Sequence, residues 1–194
     1  ENQTLFAIVQ GSTFPDLRKR SAQVSVDQKT AGGYGGFAIG GLAVGEGHEA
    51  MCETLDYTVP CLPDGRPRYL MGVGKPIDLV EAVYRGVDMF DCVIPTRSGR
   101  HGQVWTDEGP YNITNARFSE DNEPLDSRIA CPAAQNYSRA YVHHLIRSGE
   151  LLGSMILSWH NIAYFQDLMA RMRASIAAGE FESFVHNFRK NFNA

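Results

Sequence analysis

The sequence predicts an α/β protein: about four parallel strands built from consecutive βα units, followed by a helical region. Three observations carry this reading. Short apolar runs of strand length recur, each followed by a Gly-bearing segment and then a helix signal, which is the signature of βα units. The chemically informative residues collect just after each run, at the carboxyl ends of the strands, where a parallel β/α barrel carries its active site. From residue 136 onward the apolar spacing becomes helical.

The elements follow in order. Residues 4–9 (TLFAIV) are a continuous apolar run. Gln10, Gly11 and Ser12 come next, then a helix start with Ser12 or Thr13 as cap, Pro15 in the first turn and Asp16 at the positive end. The Gly-rich stretch 31–36 (AGGYGG) breaks that helix. Residues 37–39 form a second strand ending in Gly40, Gly41 and Leu42. Residues 49–57 read as a helix with Met51 and Leu55 inward, and 60–67 as a Pro-rich loop. Residues 68–71 form a third strand ending in Gly72, Val73 and Gly74. Lys75 and Pro76 open a helix that places Ile77, Val80, Val83 and Tyr84 on one face, and Gly86 ends it.

The fourth strand is read through 88–94, with Phe90, Cys92 and Ile94 on one face and Asp91 and Val93 on the other. Pro95 and Gly99 then mark a loop that carries Arg97 and Arg100. Residues 104–106 and 111–113 read as a β-hairpin, and 118–127 as a polar loop. A helix to about 148 places Tyr137, Tyr141 and Leu145 inward, with His144 a further candidate. A longer helix carries Ile162, Phe165, Leu168, Met169, Met172 and Ile176, and a last one Phe184 and Phe188. Stripes at this spacing are core or subunit interface.

With 43% hydrophobic and 21% charged residues in 194, the composition is that of a globular protein. A net charge of −4 gives no bulk signal for nucleic acid, so any RNA contact rests on a local basic patch. No apolar run is long enough to span a bilayer, and no signal peptide is evident, so a cytoplasmic protein without membrane contact is expected. The chain starts at Glu1 rather than Met, so its true N-terminus is expected elsewhere. Cys52, Cys61, Cys92 and Cys131 form no CxxC pair, which fits a reducing compartment. His48, His101 and His186 have no partner identifiable from the sequence.

Asp91 is the residue with the sharpest chemistry. A carboxylate inside an apolar run is costly to bury unless it is partnered or exposed at a strand end. Beside a basic segment it suits a nucleophile acting on an anionic polymer. A buried Asp capping the following loop is the equally open structural alternative.

Four motifs in order, IVQG (8–11), GGLAVGE (40–46), YLMGVGKP (69–76) and FDCVIPTRSGR (90–100), resemble the bacterial tRNA-guanine transglycosylase (queuine tRNA-ribosyltransferase) family, matching its C-terminal half. The resemblance implies the second half of a TIM barrel over residues 1–103, then a β-hairpin and helical appendix over 104–194 resembling the family's zinc-binding subdomain. It implies an enzyme that exchanges guanine at the tRNA wobble position for a 7-deazaguanine, with Asp91 forming a covalent bond to the ribose and no cofactor required for the chemistry. Gln10, Gly40, Gly41, Leu42 and Met71 would bind the base, with Glu46 a weaker candidate for tuning which exocyclic group is accepted. Gly72, Val73, Gly74, Lys75, Pro76, Ile77 and Asp78 would form one RNA-binding loop. Thr96, Arg97, Ser98, Gly99 and Arg100 would form the other, and together they would hold the tRNA anticodon loop.

The chain departs from the family pattern at the zinc site. Of its three cysteines only Cys131 remains, with Ile129 and Ala134 in the other two positions, while His160 matches the fourth ligand. Two ligands do not make a closed tetrahedral site, so the structural zinc is expected to be lost or weak. The family's general acid/base belongs to the N-terminal half, which is expected on the same gene or on another chain. The chain alone is therefore expected to be inactive, and to form a homodimer through Tyr137, Tyr141 and His144 or to pair with that half. The competing reading is a non-catalytic RNA-binding or partner subunit derived from the family.

Overall fold

Residues 3–28 and 33–192 are described by the computed structural model. Of the Gly-rich stretch 31–36, residues 31 and 32 lie outside them. The chain divides into two compact units, Glu1–Cys92 and Val93–Ala194.

In the first unit, β1 (Phe6–Val9), β2 (Gly36–Ile39), β3 (Arg68–Leu70) and β4 (Met89–Phe90) form one parallel sheet in sequence order. Ala7 pairs with Phe37, Ile39 with Leu70, and Leu70 with Phe90, which fixes the register across the sheet. The crossovers are α1 (Pro15–Asp27), α2 (His48–Thr58) and α3 (Pro76–Tyr84). Pro15 and Pro76 stand in first turns, where a fixed φ and a missing N–H cost nothing. The cap of α1 is Phe14, one residue beyond the Ser12 and Thr13 that the sequence offered; with Pro15 at the start, capping falls to a residue without a side-chain acceptor.

Period-two alternation sorts the strand side chains into two faces. Val9, Phe37, Ile39 and Leu70 turn to the helices and pack with Met51, Leu55, Val59, Ala82 and Val87 as one core. Ile8 and Met89 point the other way, and they remain 48% and 45% exposed, so that face of the sheet is apolar and uncovered within this unit. Four sequential parallel strands backed by helices are consistent with a segment of a β/α barrel.

The second unit contains α4 (Ile94–Arg100), the antiparallel pair β5 (Gln103–Val104) and β6 (Tyr111–Asn112), α5 (Pro132–Gln135), α6 (Arg139–Arg147), α7 (Leu151–Ala177) and α8 (Phe181–Phe192). Two expectations are corrected here. The fourth strand stops at Phe90, and the segment read as a basic loop is α4, so Phe90, Cys92 and Ile94 do not share a strand face. Val93 already has helical backbone angles and caps α4, and Pro95 stands in the first turn of that helix, where its ring is favourable. The second correction concerns α6, which begins at Arg139 with Ser138 Oγ accepting the Tyr141 N–H at 3.1 Å. Its buried residues are Val142 and Leu145, whereas Tyr141 and His144 are exposed. Ile162 and Ile176 of α7 are likewise exposed, and Tyr164, Leu168 and Met172 form its inward stripe. Among the described residues, no helix is long and apolar enough to cross a membrane.

Candidate active site

Asp91 follows directly on the last residue of β4 and is exposed, so the strand-end alternative holds over the buried one. Its Oδ1 accepts the Tyr69 hydroxyl at 2.7 Å and the Gly72 N–H at 2.8 Å. Gly72 has φ +75°, a left-handed conformation that turns its N–H toward the carboxylate and that glycine adopts without strain. The Tyr69 hydroxyl first, then the Gly72 N–H, hold the Asp91 carboxyl below the ordinary carboxylate range, against a smaller opposing effect of burial. The same bond pushes the Tyr69 hydroxyl up. Both of these donors converge on Oδ1.

Gln10 lies just past β1 and is exposed, its backbone N–H donating to Ser21 Oγ at 3.0 Å. Its side-chain amide lies against the loop after β2: a Cβ on Gly40 would stand 2.6 Å from Gln10 Nε2, and one on Gly41 would stand 3.1 Å from Oε1. Glycine at position 40 is thus what lets the amide approach the backbone. The Gly40 N–H donates to the Val9 carbonyl at 3.1 Å, locking this loop to the end of β1. Leu42 is buried beneath it. Gln10, Gly40 and Gly41 therefore form one edge offering amide donors and acceptors, as a purine-like ring requires.

Met71 lines an apolar depression of about 300 Å³ on the uncovered sheet face, together with Phe6, Ile8, Ala38, Tyr69 and Met89. Glu46 Oε2 accepts the Val44 N–H at 3.0 Å, within the same loop as Leu42. Of the segment 72–78, only 72–75 is loop; Pro76, Ile77 and Asp78 are the first turn of α3. Lys75 caps that helix and is exposed, while Val73 and Pro76 are buried anchors. Asp78 Oδ1 lies 2.6 Å from His48 Nδ1, so His48 has a partner that the sequence did not disclose. His101 likewise has one, its Nδ1 lying 2.7 Å from the Arg97 carbonyl oxygen.

In the second unit, Arg97 and Arg100 stand three residues apart on α4 and are both exposed. The helix beneath them is held firmly. Trp105 Nε1 donates to Ser98 Oγ at 2.9 Å, Thr96 Oγ1 donates to the Val93 carbonyl at 3.4 Å, and Asn161 Nδ2 donates to the Pro95 carbonyl at 3.0 Å. Gly99 meets α7 so closely that a Cβ there would stand 2.8 Å from the Ser158 backbone nitrogen. A second cavity, of about 630 Å³, is lined in part by Arg117, Arg128 and Arg139 and holds none of the residues singled out from the sequence. Arg139 and Arg128 are already paired there, to Asp121 at 3.1 Å and Asp126 at 3.2 Å.

The residues at the expected zinc position do not fit that metal. Ile129 and Ala134 are buried apolar side chains beside the buried Cys131. His160 is fully buried, with Nε2 lying 3.1 Å from the Trp105 carbonyl oxygen and Nδ1 without a hydrogen-bond partner. Burial, the largest effect, lowers its pKa. Two donors of ligand type fall short of the four that a closed structural zinc site takes.

Two residues at the site were missed in the sequence. Tyr69 had a signal: it lies two positions before Met71, and period-two alternation puts both on one face. Arg18 had none, because it reads as one charge in a mixed helix, yet it is fully buried and donates to the carbonyls of Val9, Ser12 and Gly41.

An exposed carboxylate at the carboxyl end of a parallel strand, in one unit with an amide-and-glycine edge, lies where α/β proteins with parallel sheets place their sites. The comparisons specify the family. Residues 1–194 match the family model TGT, queuine tRNA-ribosyltransferase, and the chain belongs to that family. It is 61% identical over 188 residues to the queuine tRNA-ribosyltransferase of Caulobacter vibrioides, covering 97% of this chain and 50% of that protein. It is 57% identical over 194 residues to that of Zymomonas mobilis subsp. mobilis, covering 100% of this chain and 49% of that protein. For that of Novosphingobium aromaticivorans the figures are 58% over 194 residues, with 51% of that protein covered. The chain spans about half the length of the curated relatives it matches.

Proposed function

We propose that this chain supplies the nucleophile, the base-reading edge and the RNA-gripping segments of a tRNA-guanine transglycosylase. The observation that carries the reading is the Asp91 carboxylate, exposed and kept ionised by Tyr69 and Gly72. Asp91 attacks the ribose anomeric carbon of the wobble guanosine. The bond from that carbon to guanine breaks, and guanine leaves with the electron pair and takes up a proton. The resulting ester is then attacked by a ring nitrogen of a 7-deazaguanine, which loses its proton and frees the carboxylate. A carboxylate that is a stable anion serves both steps, as nucleophile and as leaving group. Gln10, Gly40, Gly41 and Leu42 read the base, and Met71 packs on it. Lys75 of the segment 72–78, and Arg97 and Arg100 of the segment 96–100, hold the anticodon loop through phosphates and base edges.

The four strands form the second half of a β/α barrel, and the uncovered face carrying Ile8, Met71 and Met89 is the barrel interior. The chemistry requires no cofactor, and the helical region is held without a structural zinc. The proton for departing guanine comes from the complementary half, joined to this chain or supplied on another.

The second reading is a non-catalytic RNA-binding or partner subunit derived from the family. Labelled guanine exchange into tRNA by the assembled protein, this chain joined to or mixed with its complementary half, separates the two. Exchange that Asp91→Asn abolishes supports the enzyme. Binding of tRNA without exchange supports the partner subunit.

A further inference from the structure

Arg18 is fully buried on α1, and among the described residues its guanidinium hydrogen-bonds to backbone carbonyls. Nε donates to the Ser12 carbonyl at 2.6 Å, Nη1 to the Val9 carbonyl at 3.0 Å and Nη2 to the Gly41 carbonyl at 3.4 Å. A buried cation is ordinarily matched by a carboxylate. Here Glu46 and Tyr57 act on it only through space, and burial lowers its pKa as the largest effect. Ser12 holds a left-handed φ of +50°, an uncommon conformation for a residue with a side chain, and its carbonyl makes the shortest of the three bonds. A strained residue and an expensive buried charge meet at one place, the carboxyl ends of β1 and β2.

Val9 and Ser12 flank Gln10 in the chain, and Gly41 lies against the Gln10 amide in space. One planar fork therefore ties both sides of Gln10 to the loop after β2. We propose that Arg18 is a positioning residue for base recognition: it sets the gap between the Gln10 amide and the Gly40–Gly41 backbone, and so the purine-like edge that fits there. This inference rests on the base-binding part of the reading above. A guanidinium suits the task because its donors point in fixed, divergent directions, whereas an ammonium is a single point that cannot hold three carbonyls in one geometry.

The test uses the assembled protein and two variants, Arg18→Met and Arg18→Lys. Calorimetric binding of guanine and of 7-aminomethyl-7-deazaguanine is measured beside labelled-guanine exchange and thermal unfolding. The expected result is base affinity reduced about tenfold or more in both variants, the scale of a misplaced binding group. The KM for base should rise in step, with the KM for tRNA within about twofold of wild type. The Lys variant keeps charge and length, so it reports even where Arg18→Met does not fold. Unchanged base affinity in Arg18→Lys, or losses for base and tRNA that are equal and follow thermal stability, would overturn the proposal. If the wild type binds base without exchanging it, the enzyme reading fails, and the proposal stands on the weakened base binding of the variants. If the wild type binds neither base, both fail.

Discussion

Tyr69 and Asp91 share one hydrogen bond, and removing it has a defined sign. Because Asp91 titrates below its ordinary range, its favourable contribution to stability is present above that range and is lost as pH falls through the lowered folded value. The carboxylate is exposed, so this contribution is small. Tyr69→Phe releases Asp91 upward. The acid limb of the pH–kcat/KM profile should therefore move to higher pH, with the plateau reduced about 2- to 10-fold, the worth of one hydrogen bond. An unmoved acid limb would show that another group sets it. Gly40→Ala is the companion test. The new Cβ meets the movable end of Gln10 rather than backbone, so unfolding should be little changed while base binding falls about tenfold. Equal loss of stability and binding would contradict this. Asp91, Gln10 and Gly40 were legible in the sequence because their motifs place them after strands. Arg18 was not, because the apolar residues of α1 mislead: Leu17 is 51% and Val24 60% exposed while Arg18 and Ala22 are buried.

Among the elements, α4 shows why the local pattern was read incompletely. Residues 94–100 hold a Pro and a Gly, both loop signals taken alone. Pro95 in fact sits in a first turn, and Gly99 is there because α7 passes too close for a side chain. That second reason is tertiary and leaves no mark in local sequence. Gly99→Ala should destabilise the second unit by about 1–3 kcal/mol, the usual cost of overpacking, and denaturant unfolding of the variant would measure it. The helices of the first unit were legible at Pro76, Met51 and Leu55, where periodicity and cap signals agree with packing. Near Cys131 the neighbours are apolar, and His160 turns Nε2 to the Trp105 carbonyl. Elemental analysis of purified protein should find zinc well below one per chain, and a chelator should leave the unfolding temperature unchanged. One tightly held zinc per chain would contradict both.

For the whole molecule, the relevant fact is the apolar face of the parallel sheet, with Ile8 and Met89 about half exposed. Such a face favours association with a further chain. The isolated chain should self-associate in light scattering or require the complementary half. With the proton donor proposed to lie in the complementary half, its exchange rate should fall about 100- to 10,000-fold below that of the assembled protein. A well-behaved monomer exchanging guanine at an enzymatic rate would place the second catalytic group within these residues. The most direct test of the account is the covalent intermediate. The assembled protein is incubated with tRNA, quenched and run on a denaturing gel, wild type beside Asp91→Asn. Wild type should give a protein–tRNA band and Asp91→Asn none, because the neutral amide is a poor nucleophile. An undiminished band in Asp91→Asn would assign the nucleophile to another residue and contradict the role given to Asp91.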